Sequence, residues 1–192
     1  MQQRKLAIYI VLLIVAAIII AVSMKFYETK VLSDDAEAYV LEDLMAKNPN
    51  ADNVQIIFWE NRVNVDGSSY FEIKASASEG LSTPCPKRTH YQYFYPEQNF
   101  VPNPPERVVS GCTVCEGVGC VIAFPEEAII ASHTNSGTSA VQGYIQRYAD
   151  AVPTVAAVAG DGWTVTWRSP SASYGYEVEM DSNGDISSIS RN

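Results

Sequence analysis

The sequence predicts an α+β fold in which an N-terminal transmembrane helix precedes an extracytoplasmic domain of helix-plus-antiparallel-meander units with a Pro/Cys-rich insert. Three observations predict it. Leu6–Met24 is an uncharged apolar run, two stretches of helical periodicity are each followed by short β-rich runs, and prolines and cysteines concentrate between them. The expected segments are a cytoplasmic tail at 1–5, an anchor at 6–24, a first unit at 25–77, an insert at 78–125 and a second unit at 126–192.

The run Leu6–Met24 contains no charge, glycine or proline. As a helix it would be roughly 28 Å long, close to the hydrocarbon thickness of a bilayer. Arg4 and Lys5 precede it, and Ala21–Ser23 offers a small-x-small cleavage site, so a cleaved signal peptide is the alternative. Because the run exceeds the usual length of a signal core, we expect an uncleaved signal-anchor that contacts the bilayer through residues 6–24. The expected localisation is single-pass, with a cytoplasmic N-terminus and the C-terminal domain outside.

The first unit is expected to be one helix followed by a β-meander. Apolar residues such as Val40 and Leu44 recur at helical spacing until Asn48-Pro49 ends the pattern, and Ser33 is a plausible N-cap. The helix either restarts at Ser33 or continues from the anchor. After it, Asp66-Gly67 separates two β-rich runs, which indicates a hairpin.

The insert at 78–125 holds all four cysteines and six of the ten prolines before Pro125 closes it. Its aromatic segment Thr89–Tyr95 is predicted to be a strand, and 118–124 another. Side chains alternate along a strand, so three tyrosines should share one face. Such rings beside prolines suit contact with a partner protein or glycan, although packing within the insert would also explain them. The candidate partner surface consists of Tyr91, Tyr93, Tyr95 and Phe100.

The four cysteines predict two disulfides in an exported domain, with three possible pairings. They are Cys85, Cys112, Cys115 and Cys120. Two alternatives use the same residues. Cys112 and Cys115 have the Cys-x-x-Cys spacing of thiol oxidoreductases, but nearby glycines argue against the helix that such a motif opens. Four thiolates could also hold zinc, with His90 as a conceivable alternative ligand, but a second Cys-x-x-Cys is missing.

The second unit is expected to contain helices over 126–133 and 138–149, followed by strands over 155–159, 163–168, 174–180 and 185–190. Asn183-Gly184 indicates a tight hairpin between the last two. Ser132 and His133 resemble a catalytic pair at first sight, but they fall where a helix should end and have no Gly-x-Ser-x-Gly context. We therefore interpret them as polar groups of a helix end.

The stretch 175–186, from Gly175-Tyr176-Glu177-Val178 through Asp181-Ser182-Asn183-Gly184-Asp185-Ile186, resembles the end of a PepSY-like module. In that family a Tyr-x-Val-x-x-Asp strand passes through an Asn-Gly or Thr-Gly turn into a short final strand, and a preceding helix packs on the sheet. The resemblance covers mainly 138–192. It implies an extracytoplasmic, often membrane-tethered protein that modulates partners, and it supplies no catalytic residue.

The two units also resemble each other, which suggests a duplication of the module at 31–77. Tyr39-Val40-Leu41 corresponds to Tyr144-Ile145-Gln146. Phe58-Trp59 corresponds to Thr166-Trp167, and 69–73 corresponds to 174–178. The separations between these matches agree within a few residues.

The net charge of −9 argues against nucleic-acid binding. We expect no catalytic residue, no cofactor and no resident metal. The sequence favours a non-catalytic binding or accessory module that interacts with other membrane or surface proteins. The alternatives are a pilin-like filament subunit, for which a long apolar helix before a β-rich head is typical, and a thiol-redox or metal protein using Cys112 and Cys115.

Overall fold

The computed structural model describes residues 2–98, 101–114, 120–160 and 162–192, with side chains throughout except at 2–11 and 25–32. Within this part of the chain, the architecture is α+β with two four-stranded antiparallel sheets. The helices are α1 (Gln2–Lys47), α2 (Pro125–Thr134) and α3 (Ser139–Arg147). The strands are β1 (Asn53–Val63), β2 (Ser69–Glu79), β3 (Lys87–Tyr95), β4 (Glu106–Val109), β5 (Val152–Val158), β6 (Gly162–Arg168), β7 (Tyr176–Met180) and β8 (Ile186–Arg191).

The predicted transmembrane helix at Leu6–Met24 is wrong, because no helix within the described residues has both the length and the apolar character that a membrane span requires. The signal-anchor and the single-pass localisation depended on this helix and are wrong as well, while the bilayer contact at 6–24 stays a prediction. Helix α1 runs unbroken through Ser33, so no new helix begins at that residue.

The first sheet has the order β1-β2-β3-β4 and packs against the C-terminal part of α1. Ala36, Val40 and Leu44 recur every four residues, so they lie on one face of the helix, and all three are buried. Facing them are alternate residues of β2 (Phe71, Ile73, Ala75 and Ala77) and Tyr93 of β3. This cluster is the core of the first unit.

The β1–β2 hairpin closes at the predicted Asp66-Gly67 turn. Asn64 N donates to Ser68 O at 2.8 Å, and Gly67 N donates to Asn64 O at 3.0 Å. Gly67 has φ of +86°, a conformation that L side chains rarely adopt. The glycine therefore fixes the turn and with it the register of the two longest strands.

Strands β3 and β4 lie in the stretch 78–125, which the sequence suggests is a loop-rich insert. Strand β3 pairs with β2 along its whole length, from Lys87↔Glu79 to Tyr95↔Phe71. Strand β4 pairs only with Arg88–His90. In contrast, residues 120–124 are irregular and do not form the expected strand. The stretch is thus partly an extension of the first sheet.

In the second unit, α2 and α3 pack on one face of the sheet β5-β6-β7-β8. Val165, Trp167 and Val178 supply the sheet side of this core and are fully buried. The turn between β7 and β8 is the Asn183-Gly184 pair, with Gly184 at φ of +80°. Asp181 Oδ1 accepts hydrogen bonds from the backbone N–H groups of the turn.

Each unit therefore has helix first and a four-stranded meander second, as a duplication would require. The matched residues, however, lie on strands that occupy different positions in their sheets. Trp59 lies in β1 and is 47% exposed, whereas Trp167 lies in β6 and is fully buried. The duplication stays a prediction, and it would need the two sheets to correspond with a shift of one strand.

The two units meet at a buried ion cluster that we call the Arg88 junction (Arg88, Phe124, Glu126 and Glu127). Arg88 of β3 is 2% exposed, and its guanidinium lies 3.7 Å from the centre of the Phe124 ring. Its Nη1 is 3.4 Å from Glu126 Oε2, and its Nη2 is 2.5 Å from Glu127 Oε1. Glu127 also accepts hydrogen bonds from the backbone N–H groups of Ala123 and Phe124, which caps α2.

Candidate binding site

The predicted surface tyrosines of β3 share one face of the strand, and that face is turned towards α1. Tyr93 is buried, with 8% of its surface exposed, while Tyr91 and Tyr95 are half-buried. All three pack against the core of the first unit. Phe100 lies outside the described residues. The alternation along β3 therefore places the rings between helix and sheet, with only part of Tyr91 and Tyr95 reaching solvent.

The last turns of α1 hold these rings. Tyr39 and Lys47 lie on one side of the helix, eight residues apart. The Tyr39 and Tyr95 ring centres are 5.5 Å apart, and Lys47 Nζ lies 5.3 Å from the centre of the Tyr93 ring. The Tyr91 hydroxyl donates to Asn48 Oδ1 at 2.6 Å. Each tyrosine of β3 thus has its own partner near the end of α1.

A carboxylate lies beneath this contact. Asp43 Oδ2 is 2.6 Å from Lys47 Nζ, one helical turn along. Burial, followed by the neighbouring Asp43, raises the pKa of Tyr93, so this ring stays a neutral phenol. Burial also acts to raise the pKa of Asp43, but its interactions with Lys47 and Tyr93 outweigh it and the net pKa is lowered. Lys47 and Asp43 therefore place one cation and one anion beside the neutral Tyr93 ring.

A cleft of about 240 Å³ opens along the outer edge of β3. Since β4 pairs only with Arg88–His90, the rest of β3 is flanked on that side by the proline-rich segment 101–105, which we call the proline arm. The space between strand and arm forms the cleft. Its walls include Tyr39, Lys47, Tyr91, Tyr93, Glu97, Gln98, Pro102 and Pro105.

Hydrogen bonds hold the arm at its middle residue and also hold one wall residue that precedes it. Gln92 Nε2 donates to Glu72 Oε1 at 2.8 Å, and Gln92 Oε1 accepts from the backbone N–H of Asn103 at 3.3 Å. Gln98, the wall residue before the arm, accepts at Oε1 from Asn64 Nδ2 at 2.9 Å. Proline restricts the remaining backbone freedom. The cleft is therefore largely preformed.

The structure pairs Cys85 with Cys112 in a disulfide. Cys120 is also disulfide-bonded, and Cys115 lies outside the described residues. Because the Cys112 sulfur is bonded to Cys85, a redox or metal site formed by Cys112 and Cys115 would lack the Cys112 thiolate in this structure. Within the described residues, no group of His, Cys, Asp and Glu side chains is arranged to hold a metal ion.

His90 and His133 both lie at the contact between the units. The His90 ring meets the Phe124 ring edge-on at 6.4 Å. His133 is buried, its Nε2 is 2.8 Å from Pro84 O, and its ring contacts that of Trp167 edge-on. The neighbouring Ser132 hydroxyl donates to Ile129 O and accepts from Trp167 Nε1. The hydroxyl of Ser132 and Nε2 of His133 thus have their hydrogen-bond partners within the core, at the end of α2.

The sequence did not identify the remaining wall residues of the cleft: Tyr39, Lys47, Glu97, Gln98, Pro102 and Pro105. Tyr39 and Lys47 reach the cleft from α1, and the concentration of prolines after the Tyr-rich strand is the one sequence signal for the arm. Comparison of the chain with protein-family models, with curated proteins and with solved structures finds no significant match. The resemblance of 138–192 to PepSY-like modules therefore stays a prediction.

Proposed function

We propose that this protein is a non-catalytic binding or accessory module and that the cleft beside β3 receives an extended segment of a partner protein. One observation carries the proposal: tyrosines from two elements and a hydrogen-bonded proline arm enclose a preformed cleft at the edge of a sheet. Tyrosine and proline bind peptide segments at low entropic cost, because both are rigid and present a large surface.

The size of the cleft favours a side chain of a protein over a free small molecule. Its volume of about 240 Å³ is below the ~300–1,000 Å³ that is common for small-molecule pockets. One large apolar or aromatic side chain of a partner would fill it. Lys47 and Glu97 at its walls offer polar contacts to the flanking backbone.

Two further features support this role. The Cys85–Cys112 disulfide is typical of a protein that works in an oxidising compartment. The resemblance of 138–192 to PepSY-like modules implies modulation of a partner protein. Both agree with a module that binds another protein and performs no chemistry of its own.

Peptide selection tests the proposal. The full-length protein would be used to select displayed random peptides, and binding of the selected peptides would be measured by fluorescence polarisation. Tyr39→Ala removes one wall of the cleft and should weaken binding about tenfold or more, as loss of an aromatic contact residue commonly does.

Phe58→Ala is the matched control. Phe58 lies on the opposite face of the first sheet and is 46% exposed, against 45% for Tyr39. Peptides that lose affinity on Tyr39→Ala but retain it on Phe58→Ala support the proposal. Failure to select any peptide, or equal affinity for all three proteins, would contradict it.

The pilin-like filament subunit is a second candidate, and the unbroken α1 favours it. Its C-terminal part packs on a four-stranded sheet, while the apolar side chains from Leu12 to Met24 are exposed along their described length. In a filament, neighbouring copies would bury this stretch. Electron microscopy should then show filaments that Ile19→Asp abolishes; an unaltered, non-filamentous particle in both proteins would exclude this candidate.

A further inference from the structure

The outer edge of β1 is a second open sheet edge, on the opposite side of the first sheet from the cleft. Strand β1 is first in the order β1-β2-β3-β4, and among the described strands only β2 pairs with it. The segment Trp59–Val63 is well exposed: Trp59 retains 47% of its surface and Val63 retains 68%. An exposed apolar edge is a template for pairing with another strand.

The hairpin determines which backbone groups point outwards. Asn64 N donates to Ser68 O at the turn, and the β1–β2 register is regular from Phe58 to Val63. Hydrogen-bonded pairs alternate along an antiparallel ladder. The N–H and C=O groups of residues 60 and 62 are therefore directed at β2, and those of Trp59, Asn61 and Val63 face the open edge.

We propose that two copies of this chain associate through antiparallel pairing of their β1 strands, with Asn61 on the two-fold axis. In this register Asn61 lies opposite Asn61 of the second copy, and Trp59 lies opposite its Val63. These pairs contain the outward-facing backbone groups, so about six hydrogen bonds would join the strands. The two first sheets would merge into one continuous sheet.

The side chains of the edge are complementary to themselves in this register. Glu60 lies opposite Arg62 of the second copy, and Arg62 lies opposite its Glu60. On the other face, the exposed part of Trp59, whose ring already contacts Phe71 edge-on, would pack on Val63. A two-fold interface requires this reciprocity: if one residue contacts a second residue of the other copy, the same contact forms again with the two copies exchanged.

Lysine and proline, which often protect a sheet edge, are absent from 59–63, and the two charged residues of the segment, Glu60 and Arg62, have opposite signs. The irregularity of β1 lies between Ile56 and Phe58, and the turn begins at Asn64. The irregularity therefore ends the pairing segment on one side and the turn ends it on the other. Together they limit the pairing of the two strands to this register.

Cysteine cross-linking of the full-length protein tests the pairing directly. In the proposed dimer the two Asn61 Cα atoms would be about 5.5 Å apart, within the range that a disulfide spans. Asn61→Cys should therefore give a covalent dimer on mild oxidation, detected on a non-reducing gel. Ser190→Cys is the matched control, because Ser190 is exposed on β8, an edge strand of the other sheet.

Charge reversal then tests the register. When Glu60→Arg is added to Asn61→Cys, the new arginine of each copy lies opposite Arg62 of the other copy. The dimer then contains two such like-charge pairs, which should slow cross-linking about tenfold. Adding Arg62→Glu as well exchanges the two charges and should restore the rate. The exposed Glu60–Arg62 contact within one chain, 2.9 Å, contributes little to folding, so these variants should stay folded.

Equal cross-linking of Asn61→Cys and Ser190→Cys would overturn the proposal, because it would reflect random collision. A rate unaffected by Glu60→Arg, or not restored by the double exchange, would overturn the register. Circular dichroism of each variant verifies the fold, and a misfolded charge variant would be replaced by Asn61→Pro. That change removes an outward-facing N–H and should abolish association in sedimentation experiments on the otherwise unmodified chain.

Discussion

At the scale of single residues, His133 shows how a buried base links the two units. Its Nε2 is 2.8 Å from Pro84 O, next to the Cys85–Cys112 disulfide, and a carbonyl oxygen can only accept. Nε2 therefore carries the proton and donates. Burial lowers the pKa of His133, and the hydrogen bond to Pro84 offsets this only in part.

The lowered pKa predicts a loss of stability in mild acid. The unfolded chain binds a proton at about pH 6.5, but folded His133 resists protonation. The free energy of unfolding should therefore fall as the pH decreases below about 6.5 and level off below the folded pKa. Urea unfolding between pH 5 and 7.5 measures this slope.

His133→Gln is the test variant, because its amide can still donate to Pro84 and does not titrate. It should flatten the pH dependence and leave the contribution of His90, whose pKa is also lowered by burial and by Arg88. The carboxyl groups with lowered pKa, such as Asp150, act only near pH 4 and below. An unchanged slope in His133→Gln would contradict the prediction.

At the scale of elements, the N-terminus of α2 is attached to β3 by the Arg88 junction. Glu126 and Glu127 lie in the first turn, where the helix dipole also favours negative charge. Arg88 neutralises them in a buried position and stacks on Phe124. The junction thus joins the N-terminus of α2 to an inner strand of the first sheet.

Removal of the cation should be costly. Arg88→Met leaves Glu126, which is 1% exposed, without its partner, so we expect a loss of about 3–5 kcal/mol in the free energy of unfolding. Arg88→Met with Glu126→Gln should recover part of it. Arg107→Met, an exposed change on β4, should cost less than ~0.5 kcal/mol in the same denaturation assay. Similar losses for Arg88→Met and Arg107→Met would refute the role of the junction.

Helices and turns that are specified by residues close together in the chain could be predicted from the sequence. Gly67 and Gly184 specify their hairpins, and the spacing of Val40 and Leu44 specifies the buried face of α1. Strand β3 was recognised, but its place in the first sheet was not, because its pairing with β2 spans a turn that no local pattern encodes. The Arg88–Glu126 contact joins residues 38 positions apart and leaves no trace in the periodicity.

The candidate site was predictable to a similar extent. Alternation put Tyr91, Tyr93 and Tyr95 on one face, but which face is buried depends on where α1 packs. The prediction at 6–24 rested on hydropathy alone, and no helix within the described residues meets the requirements of a membrane span. Composition identifies apolar segments, and the structure decides what they contact.

At the scale of the whole molecule, two hydrophobic cores share one boundary. One lies between α1 and the first sheet, the other between α2, α3 and the second sheet. Leu81, from the loop after β2, packs against the second core, and Pro84, Cys85 and Arg88 follow it in the boundary. Such coupling should make the units unfold together.

The whole-molecule prediction is that this boundary, and no larger interface, makes folding cooperative. In the wild-type protein, hydrogen exchange of β2 and β6 should report the same opening free energy. A variant with Cys85→Ser, Cys112→Ser and Arg88→Met loses the disulfide, worth about 3–4 kcal/mol for a loop of this length, and the buried cation. The two strands should then exchange with clearly different opening free energies, as independent units do. Strands that still open together in the variant, or that open separately in the wild type, would show that the cores are coupled in another way.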